Sequence, residues 1–147
     1  MLVNQKNQYA LSAIFELATH QGKGPIKVHE ISEAQAIPLR FLEVILGRLK
    51  RNGLVKSKRG YTGGYTLIKN PKIISMGDVV RYLDESIHPV ECVTLNPEDS
   101  TCPLRGQCSF FPMWEKVHDA IYGVFDETTI QDLIDSDNIK ENHCRCL

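Results

Sequence analysis

Apolar residues recur at helical spacing through the first third of the chain. The strongest pattern lies in residues 38–52, where they follow the i, i+3, i+4, i+7 rule of one helix face: Leu42, Ile45, Leu46 and Leu49. A weaker pattern covers residues 27–36, and Ala36-Ile37 would form the turn between the two helices. Pro38 suits the first turn of the second helix, since the N–H that it lacks has no partner there. The pattern therefore predicts a helix-turn-helix over residues 28–51.

The opposite face of the second helix is polar. At about 100° per residue, it collects Arg40, Glu43, Gly47 and Arg51. Long polar side chains beside a residue without a side chain form a surface that can lie in the major groove of DNA and reach base edges. An ordinary surface helix would show the same pattern, so this helix alone leaves DNA binding open.

Residues 54–67 predict a β-hairpin directly after this helix. Glycines at its centre supply turn conformations that other residues resist. The hairpin also carries three cationic residues: Lys56, Lys58 and Arg59. A glycine-rich nucleotide loop would need a helix after the glycines, whereas strand-forming residues follow them here. A solvated hairpin without a partner is the other alternative. A basic hairpin behind a reading helix is typical of a winged helix, whose wing contacts phosphates or the minor groove.

Charge divides the 147-residue chain into two halves. Residues 1–70 hold 11 Lys and Arg against 4 Asp and Glu, a net of +7, while residues 71–147 hold 6 against 14, a net of −8, and the two sum to −1. A basic half that carries a helix-turn-helix indicates a polyanionic partner. We therefore predict that the first half binds double-stranded DNA and that the acidic half points away from it.

Further helices are predicted on either side of the helix-turn-helix and its wing. They cover residues 5–20, residues 75–84 with Ser75 as N-cap, residues 110–125 and residues 128–134. The predicted fold class is mainly α with a small β wing. Its parts are a winged helix-turn-helix domain over residues 1–85, a cysteine loop over residues 86–108, dimerisation helices over residues 109–135 and a flexible tail over residues 136–147.

The helix at residues 110–125 carries an apolar stripe outside the compact winged domain. The stripe consists of Met113, Trp114, Val117, Ile121, Val124 and Phe125. Such a helix either folds back as core or pairs with a second copy of itself. Because DNA-reading domains usually dimerise to span two half-sites, we predict a homodimer formed through this helix.

Three of the five cysteines, Cys92, Cys102 and Cys108, lie in one proline-interrupted loop. The chain has no apolar run of about 18 residues and no signal core, so we expect a cytoplasmic protein with no membrane contact. Cysteines there serve as metal ligands or redox sensors more often than as disulfides. Three thiolates can bind a soft metal or an iron–sulfur cluster, but C-x9-C-x5-C is not a common zinc or ferredoxin spacing. A cluster, zinc, redox-active thiols without a metal and unligated thiols in a mobile loop all stay open.

A fourth ligand is not evident from the spacing. The predicted helix start beside Cys108 would stabilise an anionic ligand set through its backbone N–H groups, and cluster sites normally have four protein ligands. Candidates for the fourth are a residue near the N-terminus of a partner subunit and five side chains of this chain: His88, Glu91, His118, Cys144 and Cys146.

The chain resembles the IscR-like bacterial regulators, a family that also includes NsrR-type nitric-oxide sensors and CymR-type regulators. The resemblance covers nearly the whole chain. It rests on the three cysteines, the long helix after them and four segments: YALSAIFELA, EISEAQAIPLRFLEVILGRLKRNGLV, RGYTGGYTL and ISMGDVVRYLDESI.

The resemblance implies a homodimeric winged-helix transcription regulator with a long dimerisation helix. It implies a cluster, 2Fe–2S in preference to 4Fe–4S, on Cys92, Cys102 and Cys108, and it matches the family's base-reading glutamate and wing arginine to Glu43 and Arg59. The chain also departs from the pattern. Serines common in the family are replaced by Pro38 and Arg40, a ligand histidine by Phe111, and an aspartate near the N-terminus by Gln8.

We therefore expect a repressor or dual regulator whose cluster senses iron–sulfur supply, oxidants or nitric oxide. Arg40, Glu43 and Arg51 would read the major groove, and the three hairpin cations would anchor the wing. A zinc- or thiol-based regulator is the alternative within the class, and an iron–sulfur carrier is the alternative outside it. No nucleophile elbow, Ser/His/Asp set or phosphate loop indicates an enzyme.

Overall fold

The computed structural model describes residues 4–83, 87–93 and 101–144, with side chains as far as Ile139. It is mainly helical with one two-stranded antiparallel sheet, which confirms the predicted fold class. The α-helices are α1 (Gln5–Thr19), α2 (Val28–Gln35), α3 (Leu39–Arg51), α4 (Met76–Tyr82), α5 (Phe111–Glu127) and α6 (Ile130–Cys144). The strands are β1 (Val55–Lys58) and β2 (Gly64–Leu67), and short 3-10 helices cover Pro71–Ile73 and Glu91–Val93.

The core lies among α1, α2, α3 and α4. The predicted apolar face of α3 is buried, since each of its four members is at most 1% exposed: Leu42, Ile45, Leu46 and Leu49. The stripe of α1 packs against it through small and branched side chains: Ala10, Ala13, Ile14, Leu17 and Ala18. The periodicity therefore identified the interior surfaces of both helices correctly.

The turn between α2 and α3 falls at Ala36, as the sequence predicts. Ala36 has a positive φ of 51°, the left-handed conformation that commonly ends a helix. The next N–H, that of Ile37, donates to the Ser32 carbonyl at 3.0 Å. Pro38 then precedes the first residue of α3 as its N-cap, where its missing N–H is not needed.

The wing is held by the sheet and by a third segment beside it. Val55 pairs with Leu67 and Lys58 with Gly64 across the two strands. An additional antiparallel bridge joins Ile26, just before α2, to Tyr65 of β2. This bridge connects the wing directly to the start of the helix-turn-helix.

The C-terminal part of the chain returns to the winged domain. Ser75 caps α4, and its hydroxyl accepts from the Asp78 N–H at 3.0 Å, as predicted for this N-cap. A bridge between Ser75 and Thr129 ties this cap to the corner between α5 and α6. Ile130, the first residue of α6, is fully buried in the same core as α1 and α3. The winged domain is therefore completed by a residue far along the chain.

The last helix is longer than predicted. The sequence predicts a short helix ending at Ile134 and a loose tail, but α6 continues to Cys144, so the predicted end was wrong. The apolar pattern that marks helices stops near Ile134, and residues 135–139 of α6 are exposed. Cys146 lies outside the described residues, and only the backbone of Cys144 is described. None of the helices within the described ranges combines the length and apolarity that a bilayer crossing needs.

Candidate nucleic-acid interface and cysteine pocket

The predicted reading face of α3 is exposed to solvent. Arg40, Glu43 and Arg51 are all exposed, and Gly47 between them is half-buried with open space around its Cα. We call these four residues the reading face. Arg48, one residue later on the helix, is turned the other way, and its guanidinium donates to the Leu83 carbonyl at 3.4 Å.

The first half of α3 also exposes apolar side chains that the sequence analysis did not single out. Leu39, Phe41 and Val44 are 44%, 45% and 58% exposed. The Phe41 ring lies 6.2 Å from the Tyr9 ring of α1, and the Arg40 guanidinium lies 4.8 Å from the Phe41 ring centroid. Arg40 is therefore positioned by an aromatic neighbour at the edge of the reading face.

The three predicted wing cations are exposed on one hairpin. Lys56 and Lys58 lie two residues apart on β1 and so point to the same side of the sheet, while exposed Arg59 opens the turn at the hairpin tip. The hairpin follows α3 after three residues, so the cations and the reading face belong to one continuous segment of the basic half. The structure thus presents all six predicted DNA contacts on the surface.

One aromatic residue of the wing tip was missed by the sequence analysis. Tyr61 is 92% exposed, and the Lys27 ammonium lies 5.1 Å from the centroid of its ring. Lys27 directly precedes α2 and follows Ile26, the residue bridged to the wing. The sequence shows Tyr61 beside Arg59 and the wing glycines. It does not show that Lys27 contacts the ring, because Lys27 lies 34 positions earlier in the chain.

The three loop cysteines line one pocket of about 380 Å³ at the start of α5. Cys92 comes from the 3-10 helix at Glu91–Val93, and Cys102 and Cys108 come from the loop that leads into α5. None of the three forms a disulfide. The remaining lining residues are Arg105, Gly106, Phe111 and Pro112. The structure therefore brings together the thiols that the sequence places 16 residues apart.

The donor set of this cysteine pocket suits a soft metal centre. Three thiols supply the ligand atoms that iron–sulfur clusters and other soft metals prefer, and Arg105 adds a permanent positive charge that offsets thiolate charge. Among the described residues, no three or more His, Cys, Asp or Glu side chains are grouped to hold a single metal ion. A cluster distributes its ligands over several iron atoms, so its thiolates need not converge on one point.

Three of the candidate fourth ligands are not among the described residues that line the pocket: His88, Glu91 and His118. The His118 ring instead lies 4.8 Å from the Tyr122 ring. Phe111, where the resembling family has a histidine, lines the pocket with an apolar ring.

Helix α5 divides its apolar residues between two sides. None of its 17 residues is buried. Trp114, Ile121 and Phe125 are half-buried, and Phe125 packs against the core of the winged domain. Met113, Val117, Ala120 and Val124 form a second stripe at i, i+4, i+7 and i+11, and Met113 and Val124 are 45% and 65% exposed. We call this second stripe the α5 seam; its spacing is that of a helix-pairing surface.

An ion pair joins α5 to α4, and a hydrogen bond joins α5 to the segment that follows α4. The Arg81 guanidinium donates to both carboxylate oxygens of Asp126 at 2.7 and 2.8 Å, and this hydrogen bonding raises the pKa of Arg81 above its ordinary value. The Tyr122 hydroxyl accepts from the Ile87 N–H at 3.1 Å. Gly77 makes room for the pair, because a Cβ there would lie 1.9 Å from an Asp126 oxygen. We call this arrangement the α4–α5 joint.

Comparison with known sequences identifies relatives over nearly the full length. A family model described as Rrf2, iron-dependent transcriptional regulator, matches residues 3–136. The HTH-type transcriptional regulator IscR of Pectobacterium atrosepticum is 33% identical over 139 residues, which cover 95% of this chain and 82% of the relative. IscR of Yersinia pestis is 33% identical over 141 residues, covering 96% and 84%.

Solved structures of similar proteins have the same fold as this chain. IscR of T. potens superposes with a TM-score of 0.74 at 31% identity, covering 93% of this chain and 88% of that one. CymR of B. subtilis, described as its global cysteine regulator, superposes with a TM-score of 0.71 at 32% identity, covering 90% and 95%.

Proposed function

Because the chain belongs to the Rrf2 family of iron-dependent transcriptional regulators, we propose that it is a DNA-binding repressor that senses iron–sulfur or redox status, including nitric oxide. Its similar proteins are transcriptional regulators and not enzymes, and it is likewise a regulator of transcription. The observation that carries the sensing proposal is the cysteine pocket, in which three thiols lie together at the start of α5.

The proposed DNA contacts are the six cations and carboxylates that sequence analysis selected. Arg40, Glu43 and Arg51 would reach base edges in the major groove, where Arg prefers guanine and Glu accepts from cytosine. The wing would bind phosphates or the minor groove through Lys56, Lys58 and Arg59. Their common exposure on one basic segment supports this assignment.

The proposed assembly is a homodimer formed along the α5 seam. A helix with no buried residue and an exposed apolar stripe is incomplete as a monomer surface. Pairing with its twin would bury Met113, Val117 and Val124 and would place two winged domains in a two-fold arrangement. Two reading helices so related match two half-sites of a palindromic operator.

The proposed cofactor is an iron–sulfur cluster held by Cys92, Cys102 and Cys108. When bound, it supplies a group that reacts with oxidants and nitric oxide. A 2Fe–2S cluster is our preferred assignment over 4Fe–4S, and the fourth ligand would come from outside the described lining of the pocket. Arg105 and the N–H groups at the start of α5 would stabilise the negative charge of the thiolates.

The α4–α5 joint offers a route from the pocket to the DNA contacts. Ile87 and Cys92 both lie on the segment between α4 and α5, and the Ile87 N–H is hydrogen-bonded to Tyr122 of α5. Arg81 of α4 holds Asp126 of the same helix. A ligand state changes DNA affinity only if it stabilises one relative position of α4 and α5 over another. We propose that these contacts carry that preference.

A thiol-based regulator without a cluster is the second candidate. It is favoured by the absence of a histidine at Phe111 and by the similarity to CymR, one solved structure of which, from Staphylococcus aureus, is described as an oxidized form. Zinc is less well supported, since the described residues hold no group of ligands around one ion position.

Anaerobic purification tests the cofactor. We expect a coloured protein with visible charge-transfer absorption, iron and acid-labile sulfide, and loss of all three on Cys102→Ala. The matched control is Ser109→Ala, an exposed position of the same loop, which should keep the colour. A colourless protein with stoichiometric zinc, or one with no metal whose thiols oxidise reversibly, would replace the cluster assignment.

Selection of bound duplexes from a random library at physiological salt tests DNA binding. We expect an enriched palindromic site, and Arg59→Ala should weaken its binding and lower the slope of log K against log salt by about 1. A protein that only carries iron–sulfur clusters would enrich no DNA sequence. Unchanged binding by Arg59→Ala would remove the wing from the interface.

A further inference from the structure

The tip of the wing is rigidly attached to the start of α2. The Ile26 N–H donates to the Tyr65 carbonyl at 3.0 Å, and the Tyr65 N–H donates back to the Ile26 carbonyl at 2.8 Å. Gly64 allows this approach, since it has a φ of 150° and a Cβ there would lie 2.4 Å from the Ile26 oxygen. The wing and the helix-turn-helix therefore form one unit at this edge of the protein.

The turn at the tip is equally constrained. The Gly63 N–H donates to the Gly60 carbonyl at 3.0 Å, which makes Tyr61 and Thr62 the central residues of a β-turn. A Cβ on Gly63 would lie 2.2 Å from the Lys58 carbonyl oxygen, so only glycine fits there. The Tyr61 side chain thus leaves a fixed backbone at the outermost point of the hairpin.

The Tyr61 ring is held although it is exposed. The Lys27 ammonium lies 5.1 Å from the ring centroid, a cation–π distance, and connects the tip to the α2 N-terminus. The Lys27 backbone N–H is separately bonded to the Glu30 carboxylate at 2.8 Å, so the helix cap does not depend on the Lys27 side chain. Fixing both side chains before binding reduces the entropy lost on binding.

The neighbours of this pair indicate what it contacts. Lys58 and Arg59 directly precede the tip, and all are exposed. An aromatic ring at 92% exposure, flanked by three cations and by no carboxylate of the wing, suits a surface that combines negative charge with apolar carbon. The sugar–phosphate backbone of a duplex has both properties.

We infer that Tyr61 contacts the DNA backbone beside the wing, with its ring packed on a deoxyribose and Lys27 on its face paired with the adjacent phosphate. The DNA contacts proposed for the reading face and for the wing cations do not depend on this contact. The inference rests on the proposed function only in that the wing must approach DNA. It adds a positioning contact between the base-reading helix and the wing.

Fluorescence anisotropy with the duplex selected above tests the contact across a range of salt concentrations. Tyr61→Ala should weaken binding about fivefold to tenfold, whereas Tyr61→Phe should stay within about twofold because the ring does the packing. Lys27→Met should lower the salt slope by about 1, and Tyr61→Ala should not. The double variant should lose less than the product of the single losses, since each side chain positions the other.

Lys72→Met is the matched control. It removes the same charge from the 3-10 helix that packs against α6, away from the wing, and should leave affinity and salt slope unchanged. Binding by Tyr61→Ala within twofold of the parent, or independent effects in the double variant, would overturn the inference while leaving the regulator assignment intact. Failure of the parent chain to select any duplex would instead refute the proposed function. Thermal denaturation should be unchanged in every variant, because the substituted side chains are not part of the core.

Discussion

The winged domain and α5 use apolar residues in opposite ways. In the winged domain, the apolar face of α3 is at most 1% exposed and packs against α1. In α5, a helix with a comparable number of apolar residues, no residue is buried. The first region completes its core within one chain, whereas the second presents a surface that a monomer does not cover. Substitutions in the winged domain should therefore change folding stability, whereas substitutions on the α5 seam should change self-association.

Truncation inside the winged core should have the largest effect on folding. Leu46 is fully buried on α3, and Leu46→Ala should lower the free energy of unfolding by about 3 kcal/mol, through lost burial and the cavity left behind. Urea denaturation measures the change. Leu39→Ala, the same truncation at a 44% exposed position, should cost less than about 1 kcal/mol. Equal costs at both positions would contradict the burial difference.

A charge on the α5 seam should act on assembly instead. Val124 is 65% exposed, so Val124→Asp should fold normally but should weaken self-association by about a hundredfold, because pairing would bury an unpaired carboxylate. Sedimentation equilibrium measures the association and circular dichroism the helix content. Asn138→Asp, which adds the same charge at an exposed position of α6, is the control. An unchanged dimer in Val124→Asp would exclude the seam.

The joint between the two regions should show a coupled effect. Gly77→Ala places a Cβ against the Asp126 carboxylate and should push that exposed side chain aside, so it should cost no more than loss of the ion pair. Asp126→Ala should likewise cost under about 1 kcal/mol of unfolding free energy, because the ion pair is largely exposed. In the Asp126→Ala background the Gly77→Ala cost should nearly vanish. A double-mutant cycle from denaturation curves measures this coupling. Additive costs would mean that a Cβ at residue 77 does not clash with the Asp126 side chain.

The smallest effect is expected at the start of α6. The Thr129 hydroxyl and N–H both donate to the Asp132 carboxylate, at 2.7 and 2.8 Å, and these bonds lower the pKa of Asp132 from its ordinary 3.8. Thr129→Ala should lower the melting temperature only slightly at neutral pH, because both partners are at the surface.

The pH dependence of that difference has a definite sign. A carboxylate with a lowered pKa in the folded state stabilises the fold above its unfolded pKa and loses this contribution as the pH falls through the folded value. The gap in melting temperature between the parent and Thr129→Ala should therefore shrink below about pH 4. Thermal scans of both proteins at neutral and acidic pH provide the test, and a gap that widened in acid would contradict the bond assignment.

Elements with strong periodicity could be predicted from the chain alone. The α1 and α3 stripes, the turn at Ala36, the Ser75 cap and the glycine-rich wing all depend on neighbours within a few residues, and each lies where the pattern indicates. The length of α6 could not be predicted in this way. Its later turns carry no apolar face, so the sequence resembles a polar tail although the chain is helical.

Local sequence patterns were also limited in what they could predict about the functional surfaces. The sequence selected the exposed cations of α3 and the wing, because amphipathic spacing alone separates the outside of a helix from its inside. It also named the three cysteines but left their proximity open. The pairing of Lys27 with Tyr61 joins residues 34 positions apart, which no local pattern predicts.

Residue spacing and composition are enough to predict which faces of α1 and α3 are buried, where the helix-turn-helix bends and which half of the chain carries positive charge. Contacts between distant parts of the chain place Ile130 in the winged core, bring three thiols to one pocket and leave the α5 seam exposed. These features could not be predicted, because long-range packing selects among alternatives of similar local energy. A helix of mixed apolar character can face inward, outward or both, and only its neighbours in space determine which side is covered.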